Sequence, residues 1–274
     1  MRPVEYLLLG YLCVVTIVAV VRAPERPACW WLLPAHALAA SLVYLVRRPG
    51  LGPVGRTLRE VFPIIVLLAL YSEIDILNGS GAATIHDATI QRWELALLGS
   101  QPSRDWWQRA PSRFWSTLLH GAYLSYYFIL SVPAIWLLAR RKFPAVRGFV
   151  LSVMIAFLSC YLVFLFYPVA GPYYAFPHPT GAFVDNPMAR LVYAALARGS
   201  SFGAAFPSSH VAAAVAATLG GWRGSRTLGL TLAIPTALLT IAVVYCQMHY
   251  AVDAIAGLLA GVAAAMAGAR VERD

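Results

Sequence analysis

Eight times along this chain the sequence stays almost wholly apolar for close to the thickness of a lipid bilayer: residues 4–21, 29–46, 61–77, 114–139, 149–167, 207–222, 228–245 and 250–267. A helix needs roughly 17–25 such residues to cross the hydrocarbon core. Lipid offers no hydrogen bonds to an open strand edge, so spans of this kind are helices. The pattern predicts an all-α fold, a polytopic membrane helix bundle with about eight transmembrane helices. Composition agrees: the chain is 60% hydrophobic and 12% charged, against about 45–50% and 25% in soluble domains. The first apolar run reads as a retained helix rather than a signal peptide. It has no small-x-small cleavage site, and Arg22-Ala23-Pro24-Glu25-Arg26 leads straight into the next run.

The net charge of +9 would suit a nucleic-acid binder, but its distribution follows membrane orientation instead. With the N-terminus in the cytoplasm, Arg2, Arg47, Arg48, Arg56, Arg59, Arg140, Arg141, Lys142, Arg147, Arg223, Arg226, Arg270 and Arg273 all fall on the cytoplasmic side. The C-terminus is then cytoplasmic too. The linker from Arg47 to Arg59, rich in Gly and Pro, divides an accessory helix pair (1–57) from a six-helix core (58–274). Cys13, Cys29, Cys160 and Cys246 are far apart and form no Cys-x-x-Cys pair, so they read as free thiols rather than a zinc or redox site.

Chemistry concentrates between Ser201 and Gly257. Pro207-Ser208-Ser209-His210 carries residues that suit a helix start, with Pro207 placed in the first turn. Such an end attracts anions through free N–H groups and the helix dipole. Beyond two apolar runs comes His249-Tyr250-Ala251-Val252-Asp253, where His249 and Asp253 share one helix face at i, i+4 spacing. A helix descending from 207 to 222 and another climbing from 228 to 245 bring His249 back to the face that holds His210. Both histidines then lie on the extracytoplasmic side. An aspartate that orients one ring nitrogen and leaves the other free is the arrangement of an activated nucleophile.

Pro-Ser-x-His followed by His-x-x-x-Asp resembles the second and third motifs of the type 2 phosphatidic acid phosphatase superfamily. The flanking letters, Phe-Gly-Ala-Ala-Phe-Pro-Ser-Ser-His and His-Tyr-Ala-Val-Asp-Ala-Ile-Ala-Gly, are similar to its inositol phosphorylceramide synthase branch, which is an inositolphosphotransferase. The resemblance implies that His249 attacks phosphorus, Asp253 orients it, and His210 protonates the leaving alkoxide and then activates the acceptor. It also implies chemistry without a metal or other cofactor. The superfamily's phosphatases carry an arginine six residues before the third-motif histidine, where Val243 stands here. Their Lys and Arg-Pro motif is replaced by Tyr167-Pro168-Val169-Ala170-Gly171-Pro172-Tyr173-Tyr174. These departures favour the transferase branch.

Other polar residues are candidates for the substrate. Ser208 and Ser209 sit at the helix start. Tyr173 and Tyr174 in the Pro-rich outer loop, with Arg190 and Arg198, are candidates to bind headgroup or phosphate, against interface anchoring. Glu73, Asp75, His86 and Asp87 group near one long polar stretch, as helix caps, headgroup ligands or a metal site. The segment 89–98 reads as an amphipathic helix roofing the site, with Trp93, Trp106, Trp107 and Trp115 at the membrane interface. His120 either hydrogen-bonds a neighbouring helix or serves the site. Gly257-x-x-x-Gly261 favours close helix contact.

The expected activity is a membrane lipid phosphotransferase working through phosphohistidine, with a phospholipid or lipid phosphate as donor and an alcohol or water as acceptor. The alternative is a lipid phosphate or polyprenyl diphosphate phosphatase. A rival of another class is a non-catalytic membrane lipid carrier, which binds lipid without turnover. A membrane serine protease fits poorly, because there is no Gly-x-Ser-x-Gly. Oligomeric state is not legible in the sequence.

Overall fold

The computed structural model describes residues 1–48, 50, 52–79, 85–199 and 201–271, with the side chains of residues 198, 199 and 271 outside that description. The described residues form an all-α bundle. Its helices are α1 (Pro3–Arg22), α2 (Leu32–Leu45), α3 (Gly52–Asn78), α4 (Asp87–Leu98), α5 (Pro102–Arg109), α6 (Arg113–Ala139), α7 (Phe143–Phe166), α8 (Pro172–Ala175), α9 (Pro187–Gly199), α10 (Ser209–Gly224), α11 (Arg226–Tyr245) and α12 (Ala251–Val271). All eight expected spans are helical. Six are long and apolar enough to cross a membrane: α1, Pro27–Leu45, α6, α7, α11 and Ala251–Arg270. The protein is thus an integral, multi-pass membrane protein. The two spans outside that set are α3 and α10. α3 carries Arg56, Arg59, Glu60, Glu73 and Asp75, and α10 has only 16 residues.

α10 is the centre of the bundle. It packs most extensively against α12, α7 and α11, and its Ala and Gly residues are nearly all buried. Small residues let the backbones approach closely, which is how helices associate where lipid removes the hydrophobic drive between them. A Cβ added at Gly257 would lie 2.5 Å from the Ser208 carbonyl, and one at Gly261 would lie 2.5 Å from the Ala212 carbonyl. The Gly-x-x-x-Gly pair therefore seats α12 directly on the α10 backbone.

α1 packs on α3 and α7 and is fastened at both ends. At one end Arg2 and Arg147 pair with Glu60, and Arg59 pairs with Glu5. At the other, Arg22 donates to the carbonyls of Leu77 and Leu165, and Arg26 also donates to Leu77. Cations on the terminal carbonyls of α3 and α7 complement the negative ends of those helix dipoles. Between them, buried His36 bridges Thr16 and Glu73 (Nε2 to Oε2, 3.1 Å), so the polar residues of the first three helices satisfy one another. The four cysteines are free, with Cys13 exposed and the others buried.

Replacing Gly261 with Leu should force α12 off α10 and destabilise the protein by about 1–3 kcal/mol or more. Gly10→Ala, where an added Cβ meets nothing within 4 Å, should be neutral or slightly stabilising. Thermal unfolding of the two variants in detergent checks this.

Candidate active site

Helix α10 starts two residues later than the sequence pattern indicates. Ser208 is extended (φ −63°, ψ 106°) and its side chain accepts the Val211 N–H, so it is the N-cap and Pro207 precedes the helix. Ser208 is fully buried in that role and does not line the cavity described below. Ser209 does line it. The N–H groups of Ser209 and His210 meet no acceptor among the described residues. The strand-like approach to this turn is set by Val169, which exchanges hydrogen bonds with Gly203 and Ala205. Gly203 has φ +85°, and a Cβ there would come within 3.0 Å of Pro168, so this crossing requires glycine.

The second motif-bearing segment meets the first at this point. The Ser208 N–H donates to the Asp253 carbonyl (2.9 Å). The rings of His210 and His249 lie 5.8 Å apart between centroids. His249 Nδ1 is 2.9 Å from the Ala205 carbonyl and 3.5 Å from Asp253 Oδ2. The shorter contact makes the backbone carbonyl the main orienting partner, with Asp253 a more distant one. A proton on Nδ1 leaves Nε2 as the basic nitrogen. Burial pushes the His249 imidazole down to about 4, against the opposing pull of the Ala205 carbonyl, so the ring is neutral near pH 7. Asp253 Oδ2 chiefly accepts the Tyr250 N–H (2.8 Å), closing the first turn of α12 from its third position. On His210, Nε2 lies 3.3 Å from the Tyr123 hydroxyl, and the Tyr126 ring packs at 4.5 Å.

Both histidines open onto a cavity of about 740 Å³. One end is polar, with His210, His249, Ser209 and Ser201. The body is apolar and aromatic, running between α3 and α6 past Ile64, Leu67, Leu130 and Ala134. Its outer margin is formed by Ile65, Leu68, Tyr127 and Ile135, which are exposed. Tyr173 and Tyr174 also line the cavity.

The remaining expected residues separate. Arg190 does not line the cavity; it is exposed and paired with Asp185 five residues back, because the turn entering α9 brings those two together. The Arg198 side chain lies outside the described residues. Among the described residues no Lys or Arg lines the cavity. His120 is held by Ser116 in a buried knot with Phe183 and Asn186, away from the cavity. Glu73, Asp75, His86 and Asp87 do not form one cluster. Glu73 pairs with His36, Asp75 accepts from Ser201 and Phe202, and His86 stacks on Tyr167. Asp87 accepts from the Ala170 and Gly171 N–H groups and the Tyr250 hydroxyl.

Sequence reasoning placed α4 as a roof. Its specific contacts were not legible: Gln91 reaches the Tyr250 hydroxyl and Glu94 the Ala251 N–H. An acidic residue next to a tryptophan on an amphipathic helix was the available signal.

The sequence model of the PAP2 superfamily matches residues 88–267. The chain belongs to the PAP2 superfamily. No curated protein and no solved structure matches it. The superfamily match starts in α4 and ends in α12, so it takes in both histidines and Asp253 but leaves out α3, one wall of the cavity. Membership supports an enzyme of phosphatase or phosphotransferase type acting on membrane lipid phosphates.

Because Arg190 is committed to Asp185 outside the cavity, Arg190→Ala should leave lipid turnover within about twofold of wild type, as is usual for exposed ion pairs. Steady-state kinetics in mixed micelles checks this.

Proposed function

We propose that this PAP2 superfamily protein is a lipid phosphotransferase that takes a phosphorylated headgroup from a phospholipid onto His249 and passes it to an acceptor hydroxyl. The observation carrying this reading is the cavity: two histidines and a free helix N-terminus at its polar end, and an apolar body open toward lipid. A phosphomonoester enters as a dianion and calls for several cations. A phosphodiester carries one charge, which a helix N-terminus and hydroxyls can meet. The N–H groups of Ser209 and His210 supply the first, and Ser209 and Tyr173 the second. The inositol phosphorylceramide synthase-like assignment follows from this charge argument together with the flanking motif letters.

The steps follow from position. The acyl chains occupy the slot between α3 and α6, and the phosphoryl group sits between the two rings. Nε2 of neutral His249 attacks phosphorus and the bond to the lipid alcohol breaks; His210, which takes up a proton when the anionic phosphoryl group binds beside it, delivers that proton to the departing oxygen. His210 then takes the proton of the acceptor hydroxyl as that oxygen attacks the phosphohistidine, which restores His249. The Tyr123 hydroxyl on His210 Nε2 holds the ring for both transfers. With the N-terminus cytoplasmic, as the basic loops imply, donor and acceptor come from the extracytoplasmic leaflet.

The test is product analysis with headgroup-labelled phosphatidylinositol, with and without ceramide or diacylglycerol. A new phospholipid that appears only with acceptor supports the transferase. Release of inositol phosphate or free phosphate at the same rate with or without acceptor contradicts it and points to a hydrolase. Lipid binding without any product points to a carrier. His249→Ala should abolish turnover while keeping the helical content and thermal midpoint. Tyr123→Phe should lower kcat roughly fivefold, the equivalent of about 1 kcal/mol of one hydrogen bond.

A further inference from the structure

Two helix N-termini meet at the histidines, and they are treated in opposite ways. At α10 the Ser209 and His210 N–H groups stay free for an anion. At α12 both leading N–H groups are taken by buried carboxylates: Tyr250 N–H by Asp253, and Ala251 N–H by Glu94 of α4 (2.5 Å). Glu94 is fully buried, and none of the motifs contains it. One oxygen of each carboxylate, Glu94 Oε2 and Asp253 Oδ1, is buried without a partner. The turn that carries His249 is therefore clamped between α4 and its own third residue.

We propose that Glu94 is a positioning residue for the reaction, fixing His249 through the first turn of α12 by holding the Ala251 N–H. This rests on the reading of His249 as the phosphoryl acceptor. The charged groups facing Glu94 are Asp253 of α12 and Asp105 of α5, the latter paired with Arg104 and Arg109. Burial pushes the Glu94 carboxyl up to about 7, the Ala251 N–H opposes this, and the two aspartates add to it. The folded state therefore holds a proton that the unfolded chain releases near 4.5. The resulting contribution to stability is fully present below that value and is lost as pH rises through about 7. Ionised Glu94 adds a negative charge beside the turn that carries His249, close to the place where an anionic phosphoryl group must sit, so turnover falls over the same range.

The test compares full-length wild type, Glu94→Gln and Glu94→Ala in detergent micelles between about pH 5.5 and 8.5, the window around the raised carboxyl. Two probes are used: headgroup-labelled phosphatidylinositol for turnover, and diethyl pyrocarbonate labelling of His249, read by mass spectrometry, which needs no substrate. Glutamine keeps an acceptor for the Ala251 N–H and cannot ionise. Glu94→Gln should match wild-type kcat and His249 labelling near pH 6 and lose the wild-type decline toward pH 8, expected to be about threefold to tenfold for a nearby charge. It should also flatten the fall in thermal midpoint with pH. Glu94→Ala should lower kcat about tenfold with KM within about twofold, the mark of an effect on the reacting centre rather than on binding, and change the His249 labelling rate. Wild-type kcat and labelling in Glu94→Ala, or an unaltered pH decline in Glu94→Gln, would overturn the proposal. If Glu94→Ala does not fold, the Glu94→Gln profile decides alone. If wild type labels at His249 in a Glu94-dependent way but turns over no lipid, positioning stands and the transferase reading falls.

Discussion

The contact on which the rest of the molecule depends is the backbone-to-backbone seating of α12 on α10. Gly257 and Gly261 place α12 against the Ser208 and Ala212 carbonyls, and the Ser208 N–H closes the contact on the Asp253 carbonyl. Residues far apart in sequence thereby share one wall, and two histidine rings come within 5.8 Å of each other between centroids. Any larger side chain at either glycine separates the helices and with them the histidines. In lipid, where apolar faces gain little by leaving their surroundings, close approach of this kind is the available source of specificity.

Around this contact the chain divides its polar groups between holding and reacting. Asp87, Gln91 and Glu94 of α4 bind the backbone and the tyrosine that flank His249. Ala205 orients the His249 ring from the segment before α10. At the polar end of the cavity the Ser209 and His210 N–H groups meet no acceptor among the described residues. On the proposed reading, a free helix N-terminus beside the histidines receives the phosphoryl group and the apolar body of the cavity receives the acyl chains.

Much of the fold was legible because its signals are local and periodic. The apolar runs mark the helices by length, the two glycines four apart mark the tight crossing, and the two His-containing motifs mark the centre. What escaped was long-range and aperiodic. The Ala205 carbonyl outcompetes Asp253 for His249 Nδ1, because backbone positions are invisible to side-chain spacing. Arg190 looked free to meet phosphate, but its turn delivers it to Asp185. α3 and α10 are both central: α10 as the bundle axis and α3 as a wall of the cavity. α5 was read only as interfacial tryptophans, since eight residues give little room for a pattern.

The central claim is that His249 carries the phosphoryl group. It is tested most directly by mixing the purified protein with phosphorus-labelled phosphatidylinositol, quenching in alkali within the first turnover, and locating the label by peptide mass spectrometry. The account predicts an acid-labile, alkali-stable phosphohistidine at His249 that disappears when an acceptor lipid is added. Product formation with no label on His249, or with label on another residue, would contradict it.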